Sequence, residues 1–454
     1  MKILKPASLA LMMALGTGPA LAEPDLPPFY EAVTKLPVEG KLGQVIAQEP
    51  VATSVPGAEA WRIAFISSDV GEKPTVSTAL LVSPTGPAPE DGRPIVVWAH
   101  GTTGTAQNCG PSQVLNPAQD LNEYFIIGGT SWTDFGVPAL GELIKEGYVV
   151  VAPDYQGLGG GGQHQYAIAA TQGRDAVNAL RAAGSLGLSG PGKKAGVFGW
   201  SQGGGAVLAA ASLTDYIGQT GTAFDGIEIV GFGAFAPQDV AVLIPPASLT
   251  DAGADQLIGG LATKFSDNIF NFTHFAMSMW AMPAAFPDLK LTDIFTQDGV
   301  RDLDAIFSNK CMHAGSDTLN FTYGDSFKSL LQAQPTNALA WGKALVAASV
   351  APVKPVAPVV IYWGTKDTVV DPVMGKLYRD QMCGLGGDVT RVQLAGAQSH
   401  FTTPTTATPL FLPWIKDRFA GAAAPDGCSD GGAGHQPPSA LRRRGRSAWG
   451  PKAP

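Results

Sequence analysis

The sequence predicts an α/β fold: a mostly parallel central sheet flanked by helices, with a helical insertion. Three observations carry this reading. Continuous apolar runs at 94–99, 148–152 and 358–363 suit strands buried on both faces. They alternate with segments of helical spacing, and strand–helix alternation implies parallel pairing with helices on both faces. From about 239 to 353 the alternation stops, and a dense set of apolar residues (Phe270, Phe272, Phe275, Met277, Met279, Trp280, Met282) takes its place.

Taken in order, Lys2 and Lys5 precede an apolar run at 7–15, and Ala20-Leu21-Ala22 offers a small-x-small pattern before Glu23. This predicts a signal peptide over 1–22 and a mature chain that is secreted or periplasmic. No later stretch reaches the roughly 18 apolar residues a membrane span requires. Alternation at 60–67 and 75–81 predicts two early antiparallel strands. The buried strand at 94–99 ends in His100-Gly101-Thr102-Thr103-Gly104. A helix at 139–146, stopped by Gly147, precedes the strand at 148–152, and Gly159 to Gly162 reads as a flexible loop. Ala176, Val177, Leu180 and Ala183 recur at helical spacing and lead into an apolar run that ends in Gly199-Trp200-Ser201-Gln202-Gly203. A strand at 226–235 closes the first part of the core, 23–238.

The insertion at 239–353 is expected to be a helical cap whose aromatic and Met side chains mainly fill its own interior. The core resumes over 354–428 with the strand at 358–363, a helix at 373–383 and a strand at 389–394. After Cys428 a basic tail, 429–454, is expected to be disordered.

Composition narrows the function. The formal net charge is −8. Without Lys2 and Lys5 it is −10, and without the tail's Arg442, Arg443, Arg444, Arg446 and Lys452 against Asp430 it falls by four more, to −14. So acidic a body argues against nucleic acid as a partner. Cys109, Cys311, Cys383 and Cys428 are an even set, which in an exported chain favours two disulfides. Three connectivities are open, with Cys109–Cys311 and Cys383–Cys428 preferred. No C-x-x-C spacing suggests a zinc or redox site.

The chemistry centres on Ser201. A strand ending in G-x-S-x-G and turning at once into a helix forces the serine into a strained, exposed turn, and Gly199, Gly203, Gly204 and Gly205 let the helix leave close to the strand. A serine hydroxyl needs a base, and His400 alone among the six histidines sits in a loop directly after a C-terminal strand. The acid is Asp367 in preference to Asp371, which stands before Pro372 and suits a helix start. Asp154 precedes the serine and reads as structural. The order Ser, Asp, His is that of an α/β-hydrolase. The oxyanion donors are then the backbone N–H of Gln202 and one from the loop after His100, taken as Thr102; His100 itself supports that loop. This chemistry requires no metal or cofactor.

Together, Pro28-Phe29-Tyr30, His100 to Gly104, Pro153-Asp154-Tyr155-Gln156-Gly157-Leu158-Gly159, Gly199 to Gly203, Gly364-Thr365-Lys366-Asp367 and His400 resemble the secretory lipase family of the yeast lipase A type, which has bacterial members. The resemblance spans about 27–419. It implies Ser201 as nucleophile, Asp367 as acid, His400 as base and a helical cap shaping an acyl tunnel. Where the family usually has a small residue after the serine, this chain has Gln202, which bears on acyl preference. The expected activity is a secreted serine lipase or esterase acting through an acyl-Ser201 intermediate on a small-molecule or lipid ester. Transient contact with a lipid interface through the cap is expected, with no obligate protein partner. A polyester hydrolase or acyltransferase is the nearest alternative; a serine peptidase and a non-catalytic binding protein are further ones.

Overall fold

The computed structural model describes residues 25–244 and 246–429. The expected signal peptide and, beyond Ser429, the basic tail lie outside these residues. Nine strands, β1 (Val45–Val51), β2 (Ala58–Ser68), β3 (Pro74–Pro84), β4 (Ile95–Ala99), β5 (Val149–Pro153), β6 (Lys194–Trp200), β7 (Glu228–Phe235), β8 (Val359–Trp363) and β9 (Val389–Gln393), form one sheet in the order β1-β2-β3-β5-β4-β6-β7-β8-β9. The first three are antiparallel, β3 joins β5 antiparallel, and every later pairing is parallel. Because β4 lies between β5 and β6, the chain leaves it in opposite directions, and a crevice opens beyond the C-terminal ends of β4 and β6.

The helices are α1 (Pro28–Val33), α2 (Leu140–Lys145), α3 (Ala169–Ser185), α4 (Gln202–Ala211), α5 (Thr214–Ile217), α6 (Asp251–Lys264), α7 (Ile269–Ala281), α8 (Gln297–Phe307), α9 (Met312–Tyr323), α10 (Ala338–Ala348), α11 (Val373–Gly384) and α12 (Thr403–Phe419). One sheet face packs Val97, Val151 and Val197 against Val177 and Leu180 of α3 and Val207 of α4. The other packs Trp98, Phe198 and Phe235 against Leu140 and Leu143 of α2 and Phe411 and Ile415 of α12. Helices α6 to α10 have a separate core that includes Phe272, Trp280, Phe307 and Trp341.

Of the elements that escape the sequence reading, β1 and α12 have clear reasons. Strand β1 is a half-buried edge containing Pro50, with little apolar alternation to reveal it. Helix α12 contains Pro409 and Pro413, ordinarily helix breakers. Its packing outweighs them. A Cβ on Gly196, Gly231 or Gly233 would lie within 3 Å of Ile415, Trp414 or Phe411 respectively, so three strand glycines form the slots into which the helix settles. The expected flexible loop at 159–162 is corrected: Gly159 and Gly160 are buried, and the N–H groups of Gly159 and Gly161 both donate to Gln107 Oε1 at 3.1 Å. A Cβ on Gly160 would lie 2.3 Å from the Val76 carbonyl oxygen, so glycine there serves close packing.

Both disulfides pair as preferred, Cys109 with Cys311 and Cys383 with Cys428. The first joins the loop after β4 to the start of α9. Beside it Met312 N–H donates to Thr103 O at 2.9 Å.

The slots give a test of packing. In Gly233→Ala the added methyl would meet the buried Phe411 ring at 2.4 Å, and urea unfolding should show a loss of about 1–3 kcal/mol. Gly141→Ala, in α2 with nothing within 4 Å of the new Cβ, should instead be neutral or stabilising by about 0.5–1 kcal/mol.

Candidate active site

Strand β6 delivers Ser201 into the crevice, and the turn is as tight as its residues predict. Ser201 has φ 58° and ψ −117°, outside the ordinary regions for an L-residue. The strain is held by Ser201 N–H donating to Phe235 O at 2.9 Å and by Ser201 O accepting from Gly205 N–H at 3.0 Å and Gln238 N–H at 3.2 Å. A Cβ at Gly203 would stand 2.0 Å from the Ala99 carbonyl oxygen, and one at Gly199 2.6 Å from the same atom. Only glycines allow α4 to start this close to the end of β4.

The structure brings Ser201, His400 and Asp367 together. His400 Nδ1 is 2.8 Å from Asp367 Oδ2, and His400 Nε2 is 2.9 Å from Ser201 Oγ. A carboxylate can only accept, so Nδ1 carries the ring's hydrogen and Nε2 is left to accept from the serine hydroxyl. Asp367 Oδ1 accepts from Val369 N–H at 3.0 Å and Val370 N–H at 2.9 Å, which fixes the carboxylate from behind. The His400 and Asp367 side chains are 3% and 1% exposed. Trp200 Nε1 donates to His400 O at 3.1 Å and so anchors the loop that carries the ring. The competing acid, Asp371, instead accepts from Val373 N–H at 2.9 Å at the start of α11.

Gln202 and Thr102 both border the space around Ser201. Among the described residues neither backbone N–H donates a hydrogen bond. The loop from His100 is set by packing: a Cβ on Gly101 would meet the Trp200 ring at 2.5 Å, and Thr102 Oγ1 bonds the Tyr166 hydroxyl at 2.8 Å. His100 is buried with its ring nitrogens facing Gly101 O and Asp154 O. Burial pulls its pKa down to about 4, against the opposing effect of those carbonyls. Asp154 accepts from Thr78 Oγ1 and Ser112 N–H, and so braces the strand ends below the site.

Two spaces meet at Ser201. The larger, about 1040 Å³ and partly open to solvent, runs beneath α6, α7 and α10 and is bordered by Leu261, Phe265, Phe275, Met279, Met282 and Leu345. The smaller, about 290 Å³, lies on the His400 side, where Phe125, His313 and Phe401 form its wall. The sequence reading missed two contributors. His164, buried in the loop after β5, holds the Gln202 side chain through a 3.3 Å contact between Gln202 Nε2 and its own Nε2. Only the neighbouring glycines hinted at a shaped loop. Phe125 belongs to a long excursion between β4 and β5, and its ring lies 4.3 Å from that of Phe401. No periodicity marks it.

The same excursion buries Glu123, whose carboxylate oxygens find no hydrogen-bond partner among the described residues. Burial, with the charge of Asp134 adding to it, raises this carboxyl from 4.5 to about 9. Between those values the folded chain keeps a proton that the unfolded chain has lost, so this group makes stability fall as pH rises from about 4.5 to about 9. Glu123→Gln should flatten that fall: the melting temperature of the variant should drop less than that of the wild type between pH ~5 and pH ~8. Equal drops would mean that Glu123 is ionised in the fold.

Comparison with known proteins gives a consistent relationship. Residues 129–226 and 302–427 match the family model "Secretory lipase". Lipase 9 of Candida albicans is 24% identical over 426 residues, covering 89% of this chain and 85% of that protein. The secreted triacylglycerol lipase LIP4 of Malassezia globosa is 25% identical over 388 residues, covering 82% and 75%. Among solved structures, Candida antarctica lipase A superposes with a TM-score of 0.63 at 18% identity, covering 88% of this chain and 87% of its own. The G231F mutant of the rice cell wall degrading esterase LipA of Xanthomonas oryzae gives 0.61 at 18% identity, covering 85% and 100%. These likenesses make the fold that of an α/β-hydrolase. Among the described residues no helix is long and apolar enough to cross a membrane.

Proposed function

The chain belongs to the secretory lipase family and is a carboxylic ester hydrolase, and we propose that it works through Ser201 as nucleophile, His400 as base and Asp367 as the acid that orients it. The observation carrying this reading is the unbroken pair of hydrogen bonds from Ser201 Oγ through the His400 ring to Asp367, at the mouth of an apolar cleft. Ser201 Oγ attacks the ester carbonyl while His400 Nε2 takes its proton. Asp367 steadies the imidazolium. The oxyanion receives the backbone N–H groups of Gln202 and Thr102, each such donor contributing about 3 kcal/mol to the transition state. Collapse expels the alcohol, protonated by His400. Water, activated by the same imidazole, then releases the acid and restores Ser201.

Residues 239–353 act as a cap in this reading, and the larger space beneath them takes the acyl chain while the smaller faces the leaving alcohol. The apolar lining favours lipid esters. Exposed Phe321 on α9, with Leu115, Ile127 and Trp132 of the excursion between β4 and β5, supplies apolar surface for transient contact with a lipid interface. The chain is exported and cleaved after Ala22. Its two disulfides suit an oxidising compartment.

The test is turnover of p-nitrophenyl esters from short to long acyl chains by folded wild type, Ser201→Ala and Asp367→Asn. Ser201→Ala should lose on the order of 10⁴-fold or more in kcat, and Asp367→Asn about 10⁴-fold, with melting temperatures retained. Undiminished turnover in Ser201→Ala would remove the assignment of the nucleophile.

A further inference from the structure

The smaller space at Ser201, on the side of the leaving alcohol, has aromatic walls and polar corners. From His400 the rings run to Phe401 at 5.4 Å and there divide. One branch passes to Phe125 at 4.3 Å and on to His313 at 4.7 Å. The other passes to Phe270 at 6.1 Å and on to His274 at 4.5 Å. All of these rings border one space, together with Ser201 and Asp134. Groups that share so small a volume with the nucleophile and its base lie where the alcohol half of an ester must sit.

Three of them hold hydrogen-bonding capacity that the protein leaves unused. His274 Nδ1 lies 2.9 Å from the Phe270 carbonyl oxygen and must carry its hydrogen there, so Nε2 is an acceptor, and no described residue donates to it. His313 stacks on the Tyr124 ring at 3.8 Å, with neither nitrogen bonded among the described residues. Asp134 Oδ1 accepts from Tyr124 N–H at 2.6 Å, while Oδ2 accepts from none of the described residues. Unlike the two oxygens of Glu123, none of these atoms is sealed by its neighbours. Burial holds both rings near pKa 4, so they stay neutral, and raises Asp134 only to about 6, above which it is a carboxylate.

Acceptors set in aromatic walls ask for an occupant that brings hydrogens. A plain alkyl alcohol brings none. A quaternary ammonium would suit the ring faces and the carboxylate, but it has no hydrogen for His274 Nε2. We propose that the smaller space is a subsite for the alcohol half of polyol esters, in which hydroxyls next to the scissile bond donate to His274 Nε2 and Asp134 Oδ2. Partial acylglycerols are the lipid esters of that kind. The inference rests on the acyl-Ser201 reading above and on its assignment of this space to the leaving alcohol.

The experiment compares kcat/KM for propyl butyrate, glycerol monobutyrate, methoxyethyl butyrate and butyrylcholine. The acyl group is constant, and the methoxy group withdraws electrons as a hydroxyl does without offering a donor. Wild type should favour glycerol monobutyrate about tenfold over the propyl and methoxyethyl esters, because acceptors left unpaired select against an alcohol lacking the donor. His274→Phe keeps a ring against Phe270, and Asp134→Asn keeps an acceptor for Tyr124 N–H while turning a donor into the space. Each, checked for an unchanged near-ultraviolet spectrum, should bring the ratio toward unity. Should both fail to fold, the wild-type ratios decide alone. Glycerol monobutyrate no better than the propyl or the methoxyethyl ester would overturn the proposal, as would an unchanged ratio in both folded variants. A lead for butyrylcholine would overturn it too, by making the space a cation site. Ser201→Ala separates the two levels: persistent turnover sinks the nucleophile, whereas its loss together with indifference to the hydroxyls sinks the subsite alone.

Discussion

The approach of α4 to the end of β4 is the constraint on which the rest of the site depends. The Ala99 carbonyl lies so near the backbones of Gly199 and Gly203 that neither position tolerates a Cβ. This closeness sets the left-handed turn at Ser201 and brings the loop after β4 alongside it. It also leaves Gln202 on the larger and Thr102 on the smaller of the two spaces that meet at Ser201, neither backbone N–H donating a hydrogen bond among the described residues. A helix starting a few ångströms farther away would relax the serine and open a gap in which water would compete for any developing charge. The strain is modest for one residue, and close packing around it holds the conformation in place.

How much was legible follows from the kind of signal each part carries. Parallel strands buried on both faces read as uninterrupted apolar runs, so β4, β5, β6 and β8 were visible within a residue or two of their bounds. The chemistry-bearing residues were visible as types in an order. The bonds that join them were not, since His400 and Ser201 stand 199 positions apart. Helix α12 was hidden because its two prolines outweigh its weak periodicity until the glycine slots of β6 and β7 are in view. The Gln202–His164 contact was hidden for a related reason: nothing local to either residue specifies a partner across 38 positions.

Burial keeps the histidines around the site, other than His400, neutral. His100, His164 and His274 are fully enclosed and held near pKa 4, and His313 follows for the same reason. These rings are neutral through the range in which an imidazole base works. His100, His164 and His274 serve as directional hydrogen-bond partners. The sheet positions the reacting groups, and the neutral imidazoles orient the polar groups beside them.

The Cys109–Cys311 bond gives the helical layer a third covalent attachment, in addition to its two chain connections to the sheet. A flap on two strings can swing clear; a plate held at three separated points can only flex between them. Access to Ser201 is then governed by the width of a passage more than by how far a door opens. Such a gate sorts molecules by cross-section, admitting slender chains end first and turning bulky ones away before any chemistry has been tried.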